Sequence, residues 1–386
     1  MNATYDAVVV GAGYIGCSVA YHLASAGLRT ALLDRATVGA GASGANYGNV
    51  QVQDAELKWS LPMTVAGYQR CERLEEELGC SVGYRRKGCL LIIESESQWR
   101  TVADRLPALN AAGIHPELVP REQLPELEPL LECRDLLGAC YNPHEGQVDP
   151  FKFLWAYVRR GLQCGLDLHV HTEVTGFDVM GGRVQGLQTN RGTFSSHVVV
   201  LTSGPWTPQL GKTLGRNWHI PHQYEQVMVT EPSELRLNNY LVSAAFFEEV
   251  EKEATPDRDS AILAITQTAE GHFLLGSAGG VVESLDNHAT PAGLVSLAAM
   301  TRRYLPTVSR LRVRRGWAAP VAFSVDGVPF LGPVVGIEGL ILATAFGPTV
   351  VITPLIGTTI AQLVTTGRTD LDLAPFSPDR EIAVVH

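Results

Sequence analysis

Six residues near the start, Gly11-Ala12-Gly13-Tyr14-Ile15-Gly16, have the spacing G-x-G-x-x-G. In that spacing the first glycine permits a tight turn, the second lets a pyrophosphate approach bare backbone, and the third lets a helix pack closely on a strand. A helix opening here meets phosphates with its free N–H groups and positive dipole end. Asp34 closes the next apolar run, Thr30 to Leu33, where a carboxylate accepts both hydroxyls of a ribose and disfavours a 2′-phosphate. The chemistry is recognition of the adenosine diphosphate half of NAD or FAD; the motif does not separate the two, and Asp34 argues against NADP.

A second run of small residues, Gly39-Ala40-Gly41-Ala42-Ser43-Gly44, leads into Asn46, Tyr47, Gly48 and Asn49. Without side chains, its N–H groups reach another anionic or ring-edge part of the same ligand. A plain surface loop is the alternative.

These residues need a strand, a glycine turn, a helix and a second strand. The pattern predicts them as Tyr5 to Val10, Gly11 to Gly16, a helix to Ala26, and Thr30 to Asp34, with Ile15, Val19 and Leu23 facing a sheet and Gly27 stopping the helix. Helices are expected over Leu57 to Leu78, Ser95 to Ala112 and Pro354 to Thr366, the last capped by Thr353 and stopped by Gly367. Strands are expected over Gly88 to Ile93, Gln226 to Thr230, Ile262 to Leu275 with a turn at Glu270-Gly271, and Leu340 to Thr344. Between Val174 and Val200, Gly181-Gly182 and Arg191-Gly192 mark hairpins. The fold class is α/β, a Rossmann-like nucleotide domain with an interleaved, mainly antiparallel second sheet (α+β).

A chain of 386 residues with 45% hydrophobic side chains builds a sizeable core and exceeds one minimal domain. Its net charge of -10 opposes a polyanionic partner, so no nucleic acid is expected. The seven cysteines, Cys17, Cys71, Cys80, Cys89, Cys133, Cys140 and Cys164, form no C-x-x-C pair, and an odd number cannot all pair. Reduced thiols in a cytoplasmic protein are the expectation. No metal is expected from the eleven histidines, which show no ligand spacing. No basic leader precedes the first strand, and no segment is expected to span a bilayer.

Gly11 to Gly16 with Asp34-Arg35, Gly41-Ala42-Ser43-Gly44, Thr202-Ser203-Gly204-Pro205-Trp206, Asp326-Gly327-Val328-Pro329 and Phe346-Gly347-Pro348-Thr349 together resemble the D-amino-acid-oxidase-type flavoprotein family over nearly the whole chain. Gly41 to Val50 is most similar to glycine and sarcosine oxidases and to the FAD-carrying beta subunits of opine oxidases, hydroxyproline dehydrogenases and related multi-subunit enzymes. The resemblance implies FAD, and oxidation of a small amine or amino acid by hydride transfer to flavin N5. Partner subunits carrying further redox centres are a possibility it raises, as hetero-oligomers. It implies an FAD domain from 1–80, 141–215 and 315–386, and a substrate domain from 81–140 and 216–314. It further implies FAD contacts at Gly11, Gly13, Tyr14, Ile15, Gly16, Asp34, Arg35, Ala42, Ser43, Gly44, Asn46, Tyr47, Gly48, Asn49, Val174, Ser203, Gly204, Trp206, Phe346, Gly347, Pro348, Thr349 and Val350.

The start of the closing helix is expected to point at the flavin pyrimidine edge, where its dipole stabilises an anionic reduced ring. Tyr47, Gln267 and Phe346 are the candidates nearest the chemistry. Tyr224, Phe246 and Phe247 are candidate walls, each weighed against simple core packing.

Three departures from the family stand out. Val321 occupies the place of the arginine that clamps a substrate carboxylate, and Arg85 and Arg86 are candidate replacements, weighed against a solvated surface hairpin. The segments where relatives attach flavin covalently hold no cysteine over Ala319 to Ser324 and Val148 instead of histidine, with His144 in a nearby turn, so FAD is expected to be non-covalent. Arg302, Arg303, Arg310, Arg312, Arg314 and Arg315 form a basic stretch, either a docking face or an ordinary solvated edge. A 2-hydroxy-acid dehydrogenase, with His219, His222 or His272 as base, and a flavin-binding assembly subunit without activity are the alternatives.

Overall fold

The computed structural model describes residues 3–251, 259–282 and 285–382. The opening folds as its pattern requires: strand Ala7–Val10, helix Tyr14–Ser25 and strand Thr30–Leu33. Gly27 takes φ +86 just beyond the helix, a conformation that costs glycine little. Both strands are buried throughout, so the Val-Val-Val and Ala-Leu-Leu runs are those of a parallel sheet covered on both faces.

That sheet has six strands among the described residues, in the order Asp167–His169, Thr30–Leu33, Ala7–Val10, Val199–Leu201, Leu340–Thr344 and Phe330–Pro333. The first five run parallel and only the last is antiparallel. Leu33, Val10 and Leu201 are in register, so the loops that follow them, and the loop after Thr344, leave from one carboxyl edge. Ligands of open parallel sheets bind at that edge.

The second sheet has eight strands among the described residues, in the order Val313–Ala322, His222–Pro232, His272–Val282, Ala261–Gln267, Tyr240–Ser243, Cys89–Ile93, Gly138–Asn142 and Glu117–Pro120. All its pairings are antiparallel except Tyr240–Ser243 with Cys89–Ile93. Two of the expected borders, 140/141 and 314/315, fall inside strands of this sheet. A small three-stranded sheet, Asn49–Val50, Gly146–Gln147 and Arg85–Arg86, and a four-stranded one, Ala3–Thr4, Gly192–Ser195, Arg183–Thr189 and Val174–Met180, complete the sheets among the described residues.

The closing helix differs from expectation. It runs Thr349–Thr366, five residues earlier than its capping signals imply, because the Thr349 hydroxyl donates to Phe346 O at 2.6 Å and fixes the first turn there. Thr353 is therefore no cap; its hydroxyl donates back to Thr349 O at 2.6 Å, and Pro354 lies inside the helix. By length and composition alone this helix, with 18 residues and a mean hydropathy of 1.4, could cross a membrane, but 56% of the span is buried inside the protein, as in a core helix. Ile352, Ile356 and Ile360 are fully buried, contributing about 1.5–3 kcal/mol each. Glycines set its neighbours' approach. A Cβ on Gly357 would lie 2.1 Å from Ser18 Oγ of the first helix, and one on Gly67 would lie 2.3 Å from Val351 O. Gly67 belongs to helix Ser60–Cys71, which a break at Glu72-Arg73 separates from Leu74–Leu78, so the single helix expected over Leu57 to Leu78 is two.

Backbone cannot yield as a side chain tip does. Gly67→Ala is expected to destabilise the fold by about 1–3 kcal/mol. Thermal unfolding of the purified variant checks this; an unchanged melting temperature would show that the two helices part freely.

Candidate active site

At the carboxyl edge of the parallel sheet the first glycine turn closes on the loop after Leu201. A Cβ on Gly11 would lie 2.7 Å from Thr202 O, and one on Gly16 would lie 1.8 Å from Gly11 O. The Thr202 hydroxyl locks the junction, standing 2.9 Å from both Val10 O and Gly11 O. Asp34 accepts the Ala12 N–H at 2.8 Å and the Ala36 N–H at 2.7 Å. A carboxylate has roughly four acceptor positions, so room is left for ribose hydroxyls. Burial raises the Asp34 pKa, and those two N–H groups pull against the rise. Arg35 stacks 4.7 Å over the Trp206 ring, and Thr172 N–H donates to Asp34 O at 2.7 Å, bringing the strand that begins at buried Val174 alongside.

The second glycine loop folds back onto the first. Tyr14 N–H donates to Ser43 Oγ at 3.1 Å, and Gly39 N–H to Ala12 O at 2.9 Å. Tyr14 and Ile15 point their side chains into the core, so what they offer a ligand is backbone. Ala42, Gly44 and Gly204 stand partly exposed in the same cradle, while Ser203 spends its hydroxyl on Thr207 at 2.9 Å.

Beyond the cradle the chain crosses to the second sheet. Asn46 Oδ1 accepts the Gly48 N–H at 2.6 Å, Gln147 Nε2 donates to Tyr47 O at 2.9 Å, and Trp317 Nε1 donates to Ala45 O at 3.3 Å. The Tyr47 hydroxyl lies where a Cβ on Gly276 would be 1.8 Å away, so only glycine fits opposite it. Burial raises the Tyr47 pKa, with Glu225 adding to the rise. Just past the strand Leu340–Thr344, Ala345 adopts φ +61, a strained conformation at the entrance to Phe346-Gly347-Pro348. Thr349 and Val350 open the closing helix, whose geometry leaves the Val350 and Val351 N–H groups without intrahelical acceptors.

These features fit FAD. They supply bare backbone at Gly11, Gly13 and Gly44, spare acceptor capacity on Asp34, and a helix start behind Phe346. Asn49 Oδ1 and Thr344 Oγ1 are buried without a hydrogen-bond partner among the described residues, as expected beside a polar group that completes them.

The remaining candidates differ in setting. Gln267 is fully occupied: Oε1 accepts Leu237 N–H at 3.0 Å, while Nε2 donates to Leu235 O at 2.8 Å and Gly271 O at 3.2 Å. Its side chain pins a hairpin, because a buried amide takes whichever backbone partners lie closest. Phe246 is 47% exposed, and Phe247 packs under Arg105 at 4.4 Å, outside the cradle. Tyr224 is fully buried in the second sheet. His219 is exposed, His272 Nδ1 lies 2.9 Å from Thr230 O, and His222 is half-buried with its pKa lowered by burial. Among the described residues no cluster suits a metal. The six arginines of the basic stretch are all exposed, and Arg303 pairs with Glu94.

Glu145 was not legible from the sequence, since no local motif marks a carboxylate that binds backbone about a hundred residues away in the chain. It is fully buried; Oε1 accepts Val52 N–H at 2.8 Å and Gln53 N–H at 2.7 Å, and Oε2 accepts the Tyr240 hydroxyl. It ties the segment after Asn49-Val50 to the second sheet. Beside it Asp54, hydrogen-bonded by Gln51, is pushed up to about 7 by burial and by the Glu145 charge.

A glycine-cradled dinucleotide site opening onto an antiparallel sheet defines a flavin-type oxidoreductase architecture. The FAD dependent oxidoreductase (DAO) profile matches residues 6–363, and the chain belongs to that family. It is 28% identical to glycine oxidase of Geobacillus kaustophilus, over 100% of this chain and 99% of that protein. It is 25% identical to sarcosine oxidase subunit beta of Rhodobacter capsulatus, over 86% of this chain and 78% of that protein. In fold it is similar to the crystal structure of L-proline dehydrogenase from P. horikoshii, with TM-score 0.88 and 22% identity over 98% of each chain.

An acid with a raised folded pKa holds its proton more tightly in the folded state than in the unfolded one. The stability this gives is full below its ordinary value of 3.8 and is lost as pH climbs towards about 7. Across that window wild-type unfolding free energy is expected to fall by up to about 1.4 kcal/mol per pH unit on this account, and Asp54→Asn to flatten the slope. Denaturant titrations near about pH 5 and about pH 7 measure it; parallel slopes would assign the proton to another group.

Proposed function

We propose that this protein oxidises a small amine or amino acid, removing a hydride from the carbon bonded to nitrogen and a proton from the nitrogen to leave an imine. The observation that carries it is the crossing of Ala45 to Asn49 from the glycine cradle to the second sheet, which sets Tyr47 against Gly276. The glycine and sarcosine oxidase relatives, named for amine-bearing substrates, support the choice of class. When bound, FAD supplies the two-electron acceptor, its N5 receiving the hydride.

The chain's own tasks are placement and charge. Tyr47 and buried Phe346 are the apolar walls that hold the donor carbon still and keep water out. The Val350 and Val351 N–H groups face developing negative charge with the positive end of the closing helix. The substrate nitrogen must be neutral to give up hydride, and an apolar, electropositive setting favours that form. Arg85, half-buried in the cavity that Tyr47 also lines, supplies positive charge there.

FAD is held non-covalently in this reading, since Val148 stands where some relatives carry an attaching histidine and Ala319 to Ser324 contains no cysteine. The chain serves as the FAD-carrying beta subunit of a larger dehydrogenase, as its similarity to a sarcosine oxidase beta subunit supports. Seven free cysteines fit a reducing, cytoplasmic setting.

Anaerobic mixing of the yellow protein with amines, amino acids and 2-hydroxy acids is expected to bleach the flavin with the nitrogen compounds only. Bleaching by hydroxy acids alone would replace the reading. Acid precipitation is expected to release all the yellow chromophore into the supernatant; colour left in the pellet would mean a covalent bond.

A further inference from the structure

The two candidate replacement arginines part company in the structure. Arg86 is exposed and paired with Glu72. Arg85, next to it on the same short strand, is half-buried and lines a cavity of about 150 Å³ together with Tyr47, Gln147 and Leu274. That space is large enough for a carboxylate and accompanying water.

Arg85 is held by one nitrogen. Its Nη2 donates to Gln147 Oε1 at 2.7 Å and to Gln267 O at 3.0 Å, and no described group accepts from Nε or Nη1. Among the described residues no carboxylate lies within salt-bridge reach of Arg85 or of Lys87, whose Nζ donates to the same Gln267 O at 3.3 Å. The two acids that border the cavity, Asp149 and Glu270, act on the Arg85 charge through space without pairing with it. Asp149 Oδ1 caps a helix by accepting Phe151 N–H at 3.0 Å and Lys152 N–H at 2.9 Å, and Glu270 is exposed. A partly desolvated guanidinium with spare donors and no paired acid is an incomplete ion pair. Gln147 connects it to the site, since its Oε1 takes Arg85 and its Nε2 holds Tyr47 O at 2.9 Å.

We propose that Arg85 anchors a carboxylate of the substrate from the cavity beside Tyr47, in place of an arginine at Val321. This rests on the amine-oxidation reading and narrows it to substrates that carry a carboxylate.

Acetate, which cannot be oxidised, is the probe. Titrated into the FAD-loaded protein, it is expected to bind, as read by calorimetry and by perturbation of the flavin absorption. Arg85→Gln is expected to weaken acetate at least about tenfold, while flavin content stays the same and Arg86→Gln leaves binding unchanged. Among substrates, KM for sarcosine is expected to rise in Arg85→Gln with kcat less affected, and the constants for dimethylamine to hold. Should Arg85→Gln not fold, Arg85→Lys carries the test, keeping the charge but not the fork and losing part of the affinity. Acetate bound equally by wild type and variant, or by neither while amines still bleach the flavin, overturns the anchor and leaves amine oxidation standing. Failure of every amine to bleach overturns both.

Discussion

Contact of bare backbone with bare backbone at the first glycine turn is the constraint on which the rest depends. Gly16 lies against Gly11 O and Gly11 against Thr202 O, closer than any side chain allows. This draws together the ends of strands Ala7–Val10 and Val199–Leu201 and brings the first helix over the sheet. Only then do Asp34 and Ser43 reach the same turn, Asp34 accepting the Ala12 N–H and Ser43 Oγ the Tyr14 N–H. One methyl group at either glycine would part the strand ends and misplace every loop at that edge at once.

The second half of the site is set by a different physics. The segment from Ala45 to Ala55 has little regular structure, and it is held by long-range polar contacts from the second sheet. Trp317 holds Ala45, Gln147 holds Tyr47, and Glu145 holds Val52 and Gln53. A buried carboxylate is stable only when its acceptor positions are filled, and Glu145 fills them with two backbone N–H groups, Asn142 and Tyr240. Removing it would leave those donors unpaired in the interior, so the loop and the sheet keep one relative position.

What was legible in the sequence follows from this division. Local rules fix the glycine turn, Asp34, the hairpins at Gly181-Gly182 and the strand Leu340–Thr344, and these stand where spacing puts them. The resemblance extended that reading to the parts of the cradle contributed by distant segments. Gln267 and Glu145 were not legible, because the partners of a buried polar side chain are chosen by tertiary packing. The start of the closing helix was misjudged for a related reason: Thr353-Pro354 has the form of a cap, but the packing of Val350 to Ile352 continues the helix before it.

Val321 places no charge on the second sheet. It pairs with Gln223 across the second sheet, and neither side chain is a cation. The half-buried cation beside Tyr47 is Arg85, carried on the small sheet that also holds Asn49-Val50. A cation in that sheet moves with the loop beside the flavin cradle, whereas one at position 321 would move with the second sheet. Its field would therefore stay fixed relative to the cradle if the two sheets shifted against each other. Gln147 belongs to the same arrangement, since a single amide holds both the Arg85 guanidinium and the Tyr47 carbonyl. The direction of the positive charge and the position of the aromatic wall are thus set by one side chain.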